Sequence, residues 1–445
     1  MQPDTLRTSL TTDPTPDNRT LHTTTPPHPL SLHTTESIES EDPMSETNRI
    51  DDILERAIDG ERLTPDEGLL LLEKADLLSL GAAAHAVRMR LHPERVVTYI
   101  VDRNVNYSNI CDSYCKFCSF YAAPGSKNGY ILSRAALKQK IEETKALGGN
   151  QILMQGGTHP DWDIDWYCDL IAFCKSFEIH VHALSSPEIQ KIAVVSKLSV
   201  RDTIARLRDA GLDSIPGGGA EILTDYARGE ISPLKCTTDE WLDVHRQAHA
   251  LGMRTTATMM LGHRERLVDR IEHLDRLRAL QDEAHANVGT EEAGFTAFIC
   301  WLFQPTHVLS GDEARGGTEY LRTLAVSRLY LQNVRNSQAS WVTMGPKVGQ
   351  MALWFGCNDM GSTMIEENVV SSAGVAYRML SPEIHSVIAA AGFRAQERNF
   401  FYEPVEAQFL DSPERLREVV GRDPKNLALP AEAFDKVPAS VAARR

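Results

Sequence analysis

A chain of 445 residues, 42% of them hydrophobic, is long enough for one large domain or two to three smaller ones around a sizeable core. Its 61 acidic against 46 basic residues give a net charge of −15, which with no long basic run argues against nucleic acid or an anionic membrane as the main partner. No apolar run approaches the ~20 residues of a membrane helix, no charged-then-apolar leader opens the chain, and eight cysteines make no disulfide framework, so the expectation is a cytoplasmic protein in a reducing compartment.

Residues 1–43 contain 22 Ser, Thr or Pro. They are expected to be disordered, because so few apolar side chains cannot offset the entropy of ordering. Met44 then reads as a natural first residue, with Ser45 capping the helix that follows. Residues 44–95 carry helical periodicity, including "TPDEGLLLLEKAD" with Thr64 as cap and Pro65 at the first helical position. "VVTYIVDRNVNYSNIC" reads as a strand that runs into a cysteine-bearing loop. After it, strands in "QILMQGG", "IHVHALS", "LDSIPGGG", "RTTATMMLG", "GFTAFICWLF" and "ASWVTMG" alternate with amphipathic helices. Repeated β–α units imply a parallel sheet wrapped by helices, an α/β fold closing into a full or partial TIM-type barrel over residues 96–402. Residues 403–445 read as a helix, "SPERLREVVGRDP", followed by a loose tail.

"NYSNICDSYCKFCSFYAAP" sets Cys111, Cys115 and Cys118 in a Cys-x3-Cys-x2-Cys spacing. Thiolates hold zinc or iron–sulfur clusters. A structural zinc site wants a fourth Cys or His close by, and none stands out; His159 and His182 lie on later strand loops. A 4Fe–4S cubane held by three thiolates leaves one iron open to a small chelating ligand. The other cysteines, Cys168, Cys174, Cys236, Cys300 and Cys357, are scattered and read as buried apolar residues. "QILMQGGTHP" ends in Gly156-Gly157, where backbone can approach a ligand closely, although a plain turn has the same pattern. "GLDSIPGGGAEIL" holds three consecutive glycines and Glu221, a carboxylate that either faces a ligand or is solvated.

These residues resemble the radical S-adenosylmethionine (SAM) superfamily, whose hallmark is this cysteine spacing with an aromatic residue, here Phe117, before the third cysteine. The resemblance implies a 4Fe–4S cluster on Cys111, Cys115 and Cys118, and SAM chelating the open iron. It also implies a 5′-deoxyadenosyl radical that abstracts a substrate hydrogen. It places Gly156, Gly157, Gln155 and Thr158 at the methionine amino group, Phe117 and Met260 at the adenine, and Glu221 at SAM. "TMMLGHRE" departs from the usual pattern, with Thr258 in place of a glycine. Within the superfamily the resemblance is strongest to the menaquinone and deazaflavin group, and there to the cyclic dehypoxanthinyl futalosine synthases. It is carried by "VHALSSPEI", "GLDSIPGGGAEIL", "TTATMMLGH", "QASWVTMGPKVGQMAL" and "GCNDMGSTMIEENVVSSAG", with Ser362 where deazaflavin enzymes have glycine.

What this resemblance implies is a cyclase of menaquinone biosynthesis. Its substrate would be dehypoxanthine futalosine: hydrogen is taken from C4′, the carbon attacks the benzoate ring, and a cyclic product two hydrogens lighter is released. An external one-electron donor of the flavodoxin or ferredoxin type is implied as partner. Aminofutalosine synthase and an FO-synthase-like enzyme are the alternatives within the group. A non-catalytic iron–sulfur protein is the alternative outside it. A benzoate wants a cation, for which Lys347 in "GPKVGQ" and Arg254 are candidates. Ribose hydroxyls want polar partners, for which Gln304, Asn358, Asp359 and Ser362 are candidates. The proton lost needs a base, and His182, His263, Glu221 and Asp359 all fall near strand ends. Trp301, Phe303 and Trp341 are candidate walls.

Replacing any one of Cys111, Cys115 or Cys118 by Ala is expected to abolish both the brown chromophore and SAM cleavage. Visible absorption and 5′-deoxyadenosine release check this, and full activity in any of the three overturns the metal assignment.

Overall fold

The computed structural model describes residues 43–406 except 291, 306–308, 310–315 and 376, together with 418 and 434–435. The disorder expected at 1–43 lies, but for Pro43, outside the described residues, as does most of the helix and tail expected at 403–445. The strands are β1 (Val96–Ile100), β2 (Asp102–Val105), β3 (Ile131–Leu132), β4 (Gln151–Met154), β5 (His180–Ala183), β6 (Ser214–Ile215), β7 (Arg254–Leu261), β8 (Phe295–Leu302), β9 (Asn336–Gln338), β10 (Asp359–Ser362), β11 (Arg394–Glu397) and β12 (Phe434–Asp435). All but β3 and β12 belong to one parallel sheet, ordered β11-β1-β10-β9-β8-β7-β6-β5-β4-β2. Strands buried on both faces need continuous apolar runs, and "VVTYI", "QILM" and "FTAFICWL" supply them.

β1 and β2 are separated by Val101 alone, yet they pair at opposite ends of the sheet order. β1 pairs with β10 through Thr98 and Asp359, and β2 pairs with β4 through Asp102 and Gln151. The β10 pairing continues as Thr363 donates its N–H to the Ile100 carbonyl at 2.9 Å and Ile365 to Asp102 at 3.1 Å. One stretch, 96–105, therefore has neighbours on both sides and brings the sheet back on itself. β11 lies beside the first half of that stretch, Val96 opposite Arg394, and gives way to β4 at Val101.

Helices cover the outside. The helix Leu77–Leu91 packs on the helix Gly317–Tyr330, and Leu80, Ala83, Ala84 and Val87 are buried in the main core. At Gly81 a Cβ would come within 2.8 Å of the Phe355 ring, which is why glycine stands there. Thr64 caps the helix Pro65–Lys74 in a reciprocal box: its hydroxyl accepts the Glu67 N–H, and Glu67 accepts the Thr64 N–H at 2.8 Å. The preceding helix begins at Pro43, so Ser45 is not its cap.

Two elements differ from the sequence expectation. "WVTM" is a helical turn, Trp341–Met344, not a strand. The strand at this place is the polar Asn336–Gln338, anchored by its first side chain: Asn336 Nδ2 donates to the Thr296 carbonyl at 2.8 Å, and Asn358 Nδ2 to Asn336 Oδ1 at 2.9 Å. β10, "DMGS", is likewise buried along its whole length despite its polarity. Asp359 makes that tolerable. Its carboxylate accepts from Arg398 Nε at 2.6 Å and Nη2 at 2.9 Å, from Thr98 Oγ1, and from the Gly361 N–H at 2.7 Å. Asp359 thus ties β10 to β1 and to the segment after β11. It is not available as the base or sugar partner that its position near a strand end suggested.

Replacing Asp359 by Ala strands a buried guanidinium and is expected to cost about 3–5 kcal/mol of stability, measured as a lowered urea midpoint.

Candidate functional site

The cysteine loop leaves β2 and is held from two sides. Cys111 donates its N–H to Ala122 at 3.0 Å, Asp112 to the Thr158 carbonyl at 3.2 Å, and Lys116 to the Ile231 carbonyl at 2.8 Å. Thr158 Oγ1 lies 3.2 Å from Cys111 Sγ and 2.8 Å from Ser113 Oγ, and donates to Asp112 at 2.9 Å. A Cβ on Gly157 would stand 2.1 Å from the Ile110 carbonyl oxygen, and one on Gly156 would be 2.5 Å from the Tyr107 ring. The glycine pair is therefore required by the close approach of the cysteine loop. The Gly156 N–H is bonded at 2.9 Å to Glu188, which also accepts from Tyr107 and Ser185.

The three thiols act electrostatically on one another. Burial pushes Cys115 up to about 12, against the pull of the Lys235 ammonium, and also raises Cys118. Such thiols ionise only when a cation or metal offsets the burial. Among the described residues, no three His, Cys, Asp or Glu side chains converge as one metal ion requires. Three thiolates from one loop, each on its own iron, are the donor set a 4Fe–4S cubane takes. Beside Cys115, Phe117 packs with Met260, Trp301, Phe303 and Ile231 in a small apolar cluster, and Lys235 Nζ sits 5.0 Å from the Phe117 ring centre.

Lys235 is ion-paired with Glu221, whose backbone is left-handed at φ 45°. Burial works against the Glu221 charge, but Lys235, with Arg228 and His263 behind it, holds the carboxyl below the usual range. Glu221 also faces a cavity of about 290 Å³ inside the barrel. Gly217–Gly219, Gln155, His182, Thr258, Trp301, Trp341 and Ser362 line its walls, and Arg398, Phe400 and Tyr402 line it from the segment after β11. The glycine triplet serves packing: a Cβ on Gly218 would meet the Gln155 amide at 2.3 Å, and Gly219 has φ +84°. Asp102 lines the same cavity. Burial raises its carboxyl to about 6, although Ser362 Oγ and Gln151 Nε2 donate to it, the latter at 2.7 Å.

A family model described as "Radical SAM superfamily" matches residues 105–277, and one described as "CofH/MqnC C-terminal region" matches 292–410. A protein named cyclic dehypoxanthine futalosine synthase from Halalkalibacterium halodurans is 46% identical over 357 residues, 80% of this chain and 94% of that one. The chain belongs to the radical SAM superfamily. A second relative of that name, from Streptomyces coelicolor, is 43% identical over 81% of this chain and 90% of its own. A 5-amino-6-(D-ribitylamino)uracil–L-tyrosine 4-hydroxyphenyl transferase from Methanococcoides burtonii is 37% identical over 80% of this chain and 99% of its own. Among solved structures, the hydrogenase maturase HydG from Carboxydothermus hydrogenoformans shares the fold with a TM-score of 0.63 at 15% identity, covering 81% of this chain and 82% of its own. Radical SAM enzymes use a 4Fe–4S cluster and SAM, and the thiol trio with its apolar shelf fits both groups.

The radical SAM barrel brings together most of the expected residues: Cys111, Cys115, Cys118, Phe117, Met260, Glu221, Gln155, Gly156, Gly157, Thr158, His182 and Ser362 lie around the loop and the cavity. Others fall elsewhere. His263 does not line the cavity. Its Nδ1 accepts the Arg264 N–H at 2.7 Å and its Nε2 bonds the Met260 carbonyl at 3.0 Å, which leaves no ring nitrogen to take a proton. Lys347 is exposed in the helix Pro346–Ala352. Asn358 and Arg254 line a second groove with His92 and Arg394, and are not among the residues lining the cavity. Gln304 bonds the Leu302 carbonyl at 3.0 Å and does not reach the cavity. Asp102, Lys235 and Arg398 were not singled out. A lone acid inside "YIVDRNV" was the available signal for Asp102, whereas Lys235 in "SPLKCTT" looks like any loop lysine.

Gly157→Ala is expected to unseat Cys111. Iron and sulfide bound after anaerobic reconstitution should fall well below one cluster per chain, while far-UV circular dichroism stays unchanged.

Proposed function

We propose that this chain cyclises dehypoxanthine futalosine to cyclic dehypoxanthinyl futalosine in menaquinone biosynthesis, in the cytoplasm, with a flavodoxin- or ferredoxin-type protein as electron donor. The observation that carries the reading is the match to two relatives named for this activity, which extends over nine-tenths of their length. When bound at Cys111, Cys115 and Cys118, the cluster with SAM supplies a carbon radical able to take hydrogen from C4′. The chain's own residues do the rest. Phe117, Met260 and Phe303 offer the adenine an apolar shelf, and the Glu221–Lys235 pair stands where the cofactor pocket meets the cavity. The enclosed barrel keeps water from the substrate radical.

Arg398 is the sole Lys or Arg among the described cavity-lining residues, and Asp359 engages its guanidinium. Neutral donors such as Gln155 and Gln338 are therefore left to hold the benzoate. Ser362 lines the cavity and is held by Asp102, which supports a role for it toward the ribose hydroxyls. Attack on the aromatic ring must be followed by loss of a proton. Of the four bases considered, Asp359 and His263 are engaged elsewhere, and His182 and Glu221 face the cavity.

Anaerobically reconstituted protein given SAM, reductant and dehypoxanthine futalosine is expected to form a product two hydrogens lighter, read by mass spectrometry. Turnover of an enolpyruvyl precursor, or of tyrosine with a diaminouracil, in place of this product sinks the reading.

A further inference from the structure

His182 sits at the wall of the cavity with its Nδ1 2.7 Å from Ser214 Oγ. The same hydroxyl lies 2.7 Å from His180 Nε2. β5 and β6 are in register at His182 and Ser214, and His180 and His182, two residues apart on β5, share a strand face. One hydroxyl thus bridges two imidazoles on the same face of β5. His182 is 5% exposed, whereas His180 is half-buried at the first residue of β5, the end remote from the cysteine loop. Phe400 covers both rings, with centroids 4.9 Å from His180 and 4.8 Å from His182.

We propose that His182, Ser214 and His180 form a proton relay that takes the ring proton of the substrate at His182 Nε2 and delivers it to the mouth of the barrel at His180 Nδ1. The proposal rests on the cyclase reading and names its base. A serine hydroxyl has one proton to give and lone pairs to receive. When His182 Nδ1–H donates to Ser214 and Ser214 donates to His180 Nε2, His182 Nε2 presents a lone pair to the cavity. As it accepts the substrate proton, the Nδ1 proton passes to Ser214, the serine proton passes to His180 Nε2, and the Nδ1 proton of His180 leaves to water. One proton enters and one departs. The C–H electron pair stays with the substrate ring and restores its aromaticity, while the unpaired electron goes to a one-electron carrier of iron–sulfur or flavin type.

The surroundings favour transit over storage. Burial and the neighbouring His180, with Arg398 from the segment after β11, hold His182 well below the ordinary histidine range. Burial takes His180 down to about 4, with Asp213 opposing and Lys175 reinforcing the effect. Both shifts disfavour a charged ring, so a proton received at His182 is passed on, not stored. The competing acids lack an exit. Asp102 already receives the Ser362 hydroxyl and the Gln151 amide, and Glu221 is locked to Lys235.

Two measurements test this. Nitrogen-15 NMR of the histidine rings in the purified protein, assigned by substitution, is expected to find His180 and His182 neutral at pH 7, both with the proton on Nδ1. Opposite tautomers, or a proton on His182 Nε2 at rest, overturn the relay whether or not the substrate has been identified correctly. In turnover, Ser214→Ala is expected to lower the ratio of cyclised product to 5′-deoxyadenosine about 100-fold, the scale of a lost general base, and Ser214→Thr to restore most of it. His180→Gln, which keeps a hydrogen bond to Ser214 but cannot pass a proton, should uncouple similarly and stands in if Ser214→Ala does not fold. A wild-type ratio in either variant overturns the relay. Wild-type protein that cleaves SAM yet yields no cyclised product counts against the cyclase reading alone, and the NMR result then decides the relay.

Discussion

Residues 96–105 carry two obligations at once. They are the shared neighbour through which the parallel sheet returns on itself, and they lead directly into the loop of Cys111, Cys115 and Cys118. β1 is paired on both sides and β2 is in register with β4 along its whole length, which leaves the backbone that launches the cysteines little freedom to shift. The Gly156-Gly157 turn then presses against the loop from β4, the next strand around the barrel. Cluster geometry is in this sense a property of strand pairing: the loop has no large core of its own, and its order comes from the two strands that flank it.

The interior that results buries many polar and charged side chains, and it stays stable because its charges are matched. Asp359 answers Arg398 and Thr98, Glu188 answers Tyr107 and two backbone amides, and Arg103 is met by Glu143 and Glu366. Removing one member of such a set leaves the other without water and without a partner. The same matching divides labour within the cavity: carboxylates that brace strands are spent on neighbours, while His182 keeps a ring nitrogen facing the cavity.

The barrel was legible wherever burial on both faces demanded apolar runs, as in "QILM" and "FTAFICWL", and wherever a motif had a local signature, as in the cysteine spacing and the Thr64 cap. It was not legible in β9 and β10. "NSQ" and "DMGS" are buried by virtue of partners far away in sequence, Thr296 and Arg398 among them, and no local pattern announces such pairing. The same blindness explains the candidates that moved. Nearness to a strand end identified His263 and Asp359, and polarity alone identified Asn358, but neither said which side the side chain takes or whether a neighbour already holds it. Lys347 followed a turn expected to lie on the active face, and the residue instead begins an outer helix because "WVTM" coils where a strand was expected.

β11 and the segment that follows it supply Arg398, Phe400 and Tyr402 to the cavity, although they come after every other strand of the main sheet. A chain emerging from the ribosome can pair β1 to β10 in order, yet it has only a bottomless tube until residue 402 is out. Completion of the cavity wall is therefore an event of late synthesis. A chain that stopped short of β11 would keep the cysteine loop and lose Arg398, Phe400 and Tyr402 from the wall of the vessel it serves.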